Sequence, residues 1–300
     1  MENFESENEK IKKEKSRVII LSIASNAALV IMKIIIGLTT GLVSILAEAL
    51  HSANDLMASI IAYFGVKGSL KPPDKEHPYG HGKIEMITGW VENILILIIG
   101  IGIIHEGIKK LAHPQEHKDV WIGIIIMFVS GFVNLFVSSY LIKKGKELRS
   151  VGIEVDGEHL HADVITSFGI AGALLLLQIT KWWWIDPVGA IFVGVWVIGI
   201  FIRLSNSLMH LAIDGGLNEN EIIRIENLLS EFPSIKDHHK VRTRQSGSTI
   251  FIDMHIKVEK DQTVEQSHNI TKEIETRLRE MYKDVNVLIH VEPYYEIKKV

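Results

Sequence analysis

Residues 42–66 read LVSILAEALHSANDLMASIIAYFGV, a mostly apolar stretch with a polar segment near its middle. The stretch is long enough to cross a bilayer core, which requires about 20 mostly apolar residues in a helix. Its polar segment carries His51 and Asp55, which lie four positions apart and therefore share one face of a helix. Because a charged residue at mid-bilayer costs about 2.5–3.5 kcal/mol on insertion scales, this face predicts a polar pathway or an ion site.

Five other stretches have the length and composition of membrane spans. Together they predict six transmembrane helices, at roughly 18–38, 42–66, 84–108, 119–142, 160–181 and 185–209. We therefore expect a cytoplasmic N-terminal tail (1–17), a six-helix transmembrane domain (18–212) and a cytoplasmic C-terminal domain (213–300). The alternative is a soluble all-helical protein with buried helices, and six such stretches in succession argue against it.

Basic residues in the short segments between spans predict the orientation. The tail before the first span has five Lys or Arg residues, and the loops after the second and fourth spans have four each. The loop after the first span has none, whereas three lysines after the third span run against the trend. The balance predicts an integral membrane protein with both termini in the cytoplasm.

Composition excludes several classes of function. The chain has no cysteine, so it has neither a disulfide framework nor a thiolate metal site. Its net charge of −4 does not indicate a nucleic acid partner. No G-x-x-x-x-G-K-[ST] phosphate loop occurs, which argues against direct use of ATP. Any transition-metal site must therefore use imidazole and carboxylate ligands.

A second polar face with the same spacing opens the fifth predicted span. His159 and Asp163 are again four positions apart. Combined with His51 and Asp55, they offer two imidazoles and two carboxylates, a tetrahedral set suited to zinc. The two carboxylates would neutralise a dication, which removes most of the cost of placing it in lipid. The alternative is that each pair makes only local hydrogen bonds or helix contacts, and two copies in separate spans favour the metal.

Further histidines lie outside the predicted spans. The loop KPPDKEHPYGHGK at 71–83 carries Asp74, His77 and His81, which either close on one metal or are incidental residues of a solvated loop. In the tail, helical spacing at 219–232 and 263–281 and strand patterns at 249–258 and 285–291 predict a small α+β domain. Scattered through it are His239, His255, His268, His290 and Glu292. Periodicity alone does not assign these residues a metal.

Four stretches together resemble the cation diffusion facilitator family of divalent metal transporters: SILAEALHSANDLMAS, PPDKEHPYGHGKIE, EVDGEHLHAD, and VRTRQSG with HVEP. The resemblance covers residues 15–293. It implies a homodimer whose cytoplasmic domain is ferredoxin-like. It also implies a transport site, a cytoplasmic loop site, a binuclear tail site and a dimer-stabilising ion pair. The transport-site residues would be His51, Asp55, His159 and Asp163, and the loop-site residues would be Asp74, His77 and His81. The tail-site residues would be His239, His255, His268, His290 and Glu292, and the ion pair would join Lys83 to Asp214.

Two positions depart from the family pattern. His51 stands where many relatives have aspartate, and in the family a histidine there goes with preference for zinc over cadmium. Glu292 stands where some relatives have a bridging aspartate, so the metal geometry of the tail site is expected to differ.

The sequence therefore predicts a proton-coupled antiporter of a bacterial cell membrane, not an enzyme, that exports a divalent metal from the cytoplasm. Zn²⁺ is the expected cargo and a candidate regulatory ion, and metal and protons compete for His51 and His159 because metal ligands must be deprotonated. Fe²⁺, Mn²⁺, Co²⁺ and Cd²⁺ are alternative cargoes, since geometry selects among them as much as ligand type does. A membrane-embedded metallohydrolase or a metal sensor without transport is the alternative of a different class.

Overall fold

The computed structural model describes the backbone of residues 2–40, 43–112, 120–180, 182 and 184–295. Within these ranges, the description leaves out the side chains of residues 2–9, 37, 40, 43–48, 50, 51, 120, 177, 178 and 186. The chain divides into two compact units, with the division between Met209 and His210.

The first unit is a bundle of long helices. Five of its helices have described segments that are long and apolar enough to cross a membrane: Lys10–Ile36, Ile84–Ala112, Trp121–Glu147, Val151–Leu176 and Pro187–Ala212. The remaining helix, which is the second in chain order, is 27 residues long, and the structure does not describe most of the side chains in its first two turns. In chain order the helices are α1 (Glu2–Thr40), α2 (Val43–Ser69), α3 (Ile84–Ala112), α4 (Val120–Glu147), α5 (Val151–Thr180) and α6 (Ile185–Ala212). The predicted fold class, a membrane helical bundle followed by an α+β domain, is confirmed.

Helix α5 begins at Val151, well before the predicted start of its span at residue 160. The difference comes from the acidic segment before His159, whose carboxylates contact other helices instead of lying in a loop. Asp156 accepts a hydrogen bond from Ser59 Oγ at 2.9 Å, and Glu158 forms an ion pair with Arg203. Because these charges face protein partners, the segment remains helical inside the bundle.

Helices α4 and α5 pack closely through small residues. A Cβ atom added at Gly157 would lie 2.9 Å from the backbone nitrogen of Ile142, which is too close for any side chain. Small residues at such contacts let two helix backbones approach each other in a membrane. The contact fixes α5, and with it the polar residues that the helix carries.

A buried ion pair joins several helices near the start of α3. Lys15 Nζ lies 3.0 Å from Glu85 Oε1, and neither side chain is exposed. Glu85 also accepts hydrogen bonds from Ser69 Oγ at 2.6 Å and from Ser150 Oγ at 2.7 Å. This group, which we call the Lys15–Glu85 junction, connects α1, α2, α3 and the start of α5.

The second unit is a small α+β domain. Its sheet has the order β1-β2-β3, with β1 and β2 antiparallel and β2 and β3 parallel. The elements are α7 (Glu219–Ser230), β1 (Asp237–Ser246), β2 (Thr249–Glu259), α8 (Val264–Met281) and β3 (Val285–Tyr294). Alternate residues of β2, from Ile250 to Val258, are buried against Ile225 and Leu229 of α7 and Ile274 and Leu278 of α8. Both helices therefore contribute to one core against the sheet.

Candidate metal sites

Asp55, His159 and Asp163 come together in the interior of the bundle, and we call them the membrane trio. One ligand atom from each lies within 4.8 Å of the other two, and all three residues are buried. His159 Nε2 is 3.6 Å from Asp55 Oδ1, a distance longer than a full hydrogen bond. A metal ion could contact all three residues after small side-chain movements, since ligand distances to zinc are about 2.0–2.2 Å for nitrogen and oxygen.

Helix geometry explains why these residues meet. His159 and Asp163 are one turn apart on α5, and Asp55 projects from α2, which packs beside α5. His51 lies one turn before Asp55 on α2, and its side chain is outside the described residues. The structure thus brings three of the four predicted transport ligands together and leaves the contribution of His51 a prediction.

A buried lysine lies near the trio and was not singled out from the sequence. Lys33 on α1 is buried, and its Nζ donates a hydrogen bond of 2.8 Å to Ser52 Oγ. Ser52 is three positions before Asp55 on α2, so the contact joins α1 to the helix that carries the aspartate. The sequence signal was available, because Lys33 is a charged residue within an apolar span.

A hydrogen-bonded group of short polar side chains connects α1, α2 and α5 one turn before His159. Ser59 Oγ donates to Asp156 Oδ1 at 2.9 Å and lies 2.9 Å from Ser22 Oγ. Asn26 Nδ2 donates to the same serine oxygen at 2.9 Å. These bonds orient Asp156 and stabilise the packing of the three helices.

The loop between α2 and α3 forms a compact polar group, which we call the loop trio. Asp74 Oδ1 accepts backbone N–H bonds from Glu76 at 3.0 Å and His77 at 2.7 Å, and these bonds hold the pKa of Asp74 below its usual value. His77 Nδ1 and His81 Nε2 each lie 3.3 Å from an Asp74 oxygen. One ligand atom from each member lies within 4.8 Å of the others. The three predicted loop residues are therefore close enough to share one ion.

The tail domain brings His239, His255 and Glu292 together on neighbouring strands, with ligand atoms within 4.8 Å. Strand register explains this, because His239 pairs with His255 across β1 and β2, and His255 pairs with His290 across β2 and β3. His255 Nδ1 donates to Glu292 Oε1 at 2.8 Å, and this hydrogen bond holds the pKa of Glu292 below its usual value. His290 Nε2 is 3.9 Å from the same oxygen. We call His239, His255, His290 and Glu292 the tail cluster.

His268, the remaining residue predicted for the tail site, is exposed on α8. Among the described residues, the group of three that can share an ion in this domain does not include it. A metal role for His268 stays a prediction.

Lys83 and Asp214, the predicted dimer-stabilising pair, belong to the two different units of the chain. Asp214 Oδ1 lies 3.7 Å from Arg244 Nη1 within the second unit. The pairing of Lys83 with Asp214 stays a prediction.

Comparison with known proteins identifies the family. The family model described as the cation efflux transmembrane domain matches residues 19–209, and that of the cation efflux protein cytoplasmic domain matches residues 217–294. The chain belongs to the cation efflux family. The predicted resemblance to cation diffusion facilitators is confirmed, and the chain is a membrane transporter for divalent metal cations rather than a member of an enzyme family.

Relatives of this cation efflux protein match along most of their length. An uncharacterized transporter of Synechocystis is 30% identical over 283 residues, which are 93% of this chain and 90% of the relative. The cation-efflux pump FieF of Serratia proteamaculans is 29% identical over 268 residues, 88% of each protein. The metal-bound C-terminal domain of the CzcD transporter from Thermotoga maritima is 30% identical, with a TM-score of 0.25, and covers 27% of this chain and 100% of that domain.

Proposed function

We propose that this cation efflux protein exports a divalent transition metal, zinc first, from the cytoplasm in exchange for protons, and that it works as a homodimer in a bacterial cell membrane. The observation that carries the proposal is the membrane trio. Two carboxylates and an imidazole lie together in the bundle interior, where each buried charge needs compensation. The two carboxylates match the charge of a divalent cation, which supplies that compensation.

The ligand types favour zinc over harder cations. Imidazole and carboxylate suit zinc, whereas magnesium and calcium prefer oxygen ligands alone. His51 would complete a tetrahedral set if its side chain faces the trio. Fe²⁺, Mn²⁺, Co²⁺ and Cd²⁺ are the other candidate cargoes, and cation-efflux pumps named FieF are among the relatives.

Proton coupling follows from the chemistry of the ligands. An imidazole nitrogen binds either a proton or a metal ion, so the loaded and protonated forms of His159 exclude each other. Metal bound from the cytoplasm would displace protons from the trio, and protons arriving from the other side would displace the metal. Such a cycle uses an inward proton gradient to move metal outward.

The loop trio and the tail cluster are secondary metal sites in this proposal. Their residues lie closer to solvent than the membrane trio does. Metal in the tail would favour the subunit arrangement that binds it more tightly, and this differential affinity is what regulation by cytoplasmic zinc requires. CzcD of Thermotoga maritima, whose C-terminal domain has been solved in a metal-bound form, supports a metal role for this domain.

The direct test measures flux in two sets of proteoliposomes, one loaded with a zinc indicator and the other with a pH indicator. We expect zinc uptake accompanied by proton movement in the opposite direction, and loss of both in Asp55→Asn and Asp163→Asn. Asp261→Asn, at an exposed position outside the three sites, is the matched control and should transport normally. Zinc flux without proton flux would refute the antiport, and zinc flux that survives in both membrane variants would refute the site.

A further inference from the structure

Besides Glu85 and Glu158, which pair with Lys15 and Arg203, two more described carboxylates outside the membrane trio are buried in the bundle. Glu92 is on α3 and Asp156 is on α5, and neither is exposed. Their helices pack against each other beside them: Gly89 lies one turn before Glu92, and a Cβ atom added to it would be 3.4 Å from Cγ2 of Val155, the residue before Asp156. Neither belongs to a site described above, and buried acids in a membrane bundle require a counter-charge or a proton.

Glu92 lacks the contacts expected of a structural carboxylate. Both of its oxygens are buried, and neither accepts a hydrogen bond from the residues whose side chains the structure describes. Asp156 uses Oδ1 to accept from Ser59, while its buried Oδ2 has no hydrogen bond of normal length within the same set of residues. The two buried oxygens of Glu92 are therefore without a partner among these residues, and desolvating them in this way is costly.

The helical rise places the two acids at similar depths in the bundle. Glu85, near the start of α3, accepts a hydrogen bond from Ser150, just before α5, so these two residues mark one level. At the helical rise, Glu92 is about 10 Å and Asp156 about 9 Å beyond that level. His159 lies about 4.5 Å further along α5 on the same face as Asp156. The acids thus lie between the membrane trio and the end of the bundle that the loop charges predict to be cytoplasmic.

We propose that Glu92 and Asp156 form a second cation site, an all-oxygen waypoint that a divalent metal ion occupies on its way from the cytoplasm to the membrane trio. The inference rests on the proposed transport function. Two carboxylates match a dication in charge, and the free oxygens of Glu92 supply ligands that no described side chain uses.

The ligand set suits passage rather than storage. A site with an imidazole ligand binds zinc more tightly than a site with oxygen ligands alone. A zinc ion at the waypoint can therefore move on to the trio. A conducting route needs positions that bind strongly enough for entry and weakly enough for release. A second cation arriving at the waypoint would also repel one already bound to the trio.

The test compares Glu92→Gln with the parent chain in proteoliposomes over a range of zinc concentrations. Glutamine keeps the size of the side chain and removes its charge. We expect the half-saturating zinc concentration to rise by about tenfold. Removing one partner of a metal site typically lowers the metal affinity by about this factor. The maximal rate should stay within about twofold, because ground-state binding is lost rather than the transport step. Glu106→Gln, which removes an exposed carboxylate from the same helix, is the matched control and should leave the curve unchanged.

A binding measurement separates this inference from the proposed transport site. Zinc titration of the detergent-solubilised full chain should show one fewer weakly bound ion per protomer in Glu92→Gln than in the parent. The same difference is expected in an Asp163→Asn background, so it does not depend on the trio. If Glu92→Gln does not fold, Asp156→Asn retains an acceptor for Ser59 and should give the same two changes. An unchanged half-saturating concentration with an unchanged number of bound ions overturns the waypoint. A change in the pH dependence of transport alone also overturns it, because the two acids would then carry protons and not metal.

Discussion

Lys15 Nζ and Glu85 Oε1 lie 3.0 Å apart with both side chains wholly buried, so the first and third helices are joined by an ion pair inside the bundle. Two serine hydroxyls also donate to the same carboxylate, one from the end of α2 and one from just before α5. The carboxylate, on α3, therefore has partners on α1, on α2 and at the start of α5. We expect these segments of the four helices to move as one body when the bundle changes conformation.

Breaking the junction from one side should destabilise the bundle strongly. Lys15→Met leaves the Glu85 carboxylate buried without its cation, which typically costs about 3–5 kcal/mol. Thermal unfolding of the detergent-solubilised chain should show a large drop in transition temperature. Replacing Glu85 with Met as well should recover much of the loss, since an apolar pair carries no desolvation cost.

Lys143→Met is the control for that experiment. Lys143 is exposed, and its contact with Glu147 is 4.0 Å long. An exposed pair of this kind contributes little. If Lys15→Met unfolds at the same temperature as Lys143→Met, the junction does not stabilise the bundle.

The loop trio should bind metal without being required for flux. Asp74→Asn keeps an oxygen for the backbone N–H groups of Glu76 and His77, and removes the charge that faces the two histidines. We expect one fewer bound zinc ion per protomer and a maximal transport rate within about twofold of the parent, because the membrane ligands are untouched. Zinc titration and proteoliposome flux on the same preparation measure both quantities, and complete loss of flux would place the loop in the transport route.

Zinc binding to the tail cluster should weaken as the pH falls. The carboxyl of Glu292 has a lowered pKa because it accepts a hydrogen bond from His255, so it stays ionised well into the acidic range. Its ionisation therefore does not limit binding near neutral pH. The histidines do, because an imidazole nitrogen must be free of its proton to bind metal.

The affinity for zinc, measured on the full chain with Asp163→Asn, should therefore fall as the pH is lowered, because protons compete with the metal for the imidazole nitrogens. Glu292→Gln should lower it at all pH values, whereas Glu259→Gln, at the exposed end of β2, should not. Tail binding that is independent of pH between about 5.5 and 7.5 would show that these histidines are not ligands.

The residues of the membrane trio could be singled out from the sequence because the signal within each helix is local. His159 and Asp163 lie one turn apart on a single helix, and a buried acid in an apolar span is rare enough to indicate a site. The tail domain was equally readable, since alternate residues of β2 form one buried face. What made these features predictable is periodicity within one element.

Features that depend on contacts between elements were harder to predict. The segment containing Asp156 and Glu158 resembled a loop because its charges have partners only in the folded bundle, Ser59 and Arg203. Lys15 looked like one more basic residue of a cytoplasmic tail, although it is buried against Glu85. Glu92 could have been found, because it is an acid inside an apolar span, the same observation that identified Asp55.

The most direct test of the central claim is a crystal structure of the protein with zinc, recorded at the zinc absorption edge. We predict an anomalous peak inside the bundle, with Asp55, His159 and Asp163 each placing a ligand atom about 2.0–2.2 Å from it. Density that appears only at the loop and tail positions, with the membrane trio turned apart, would contradict the account.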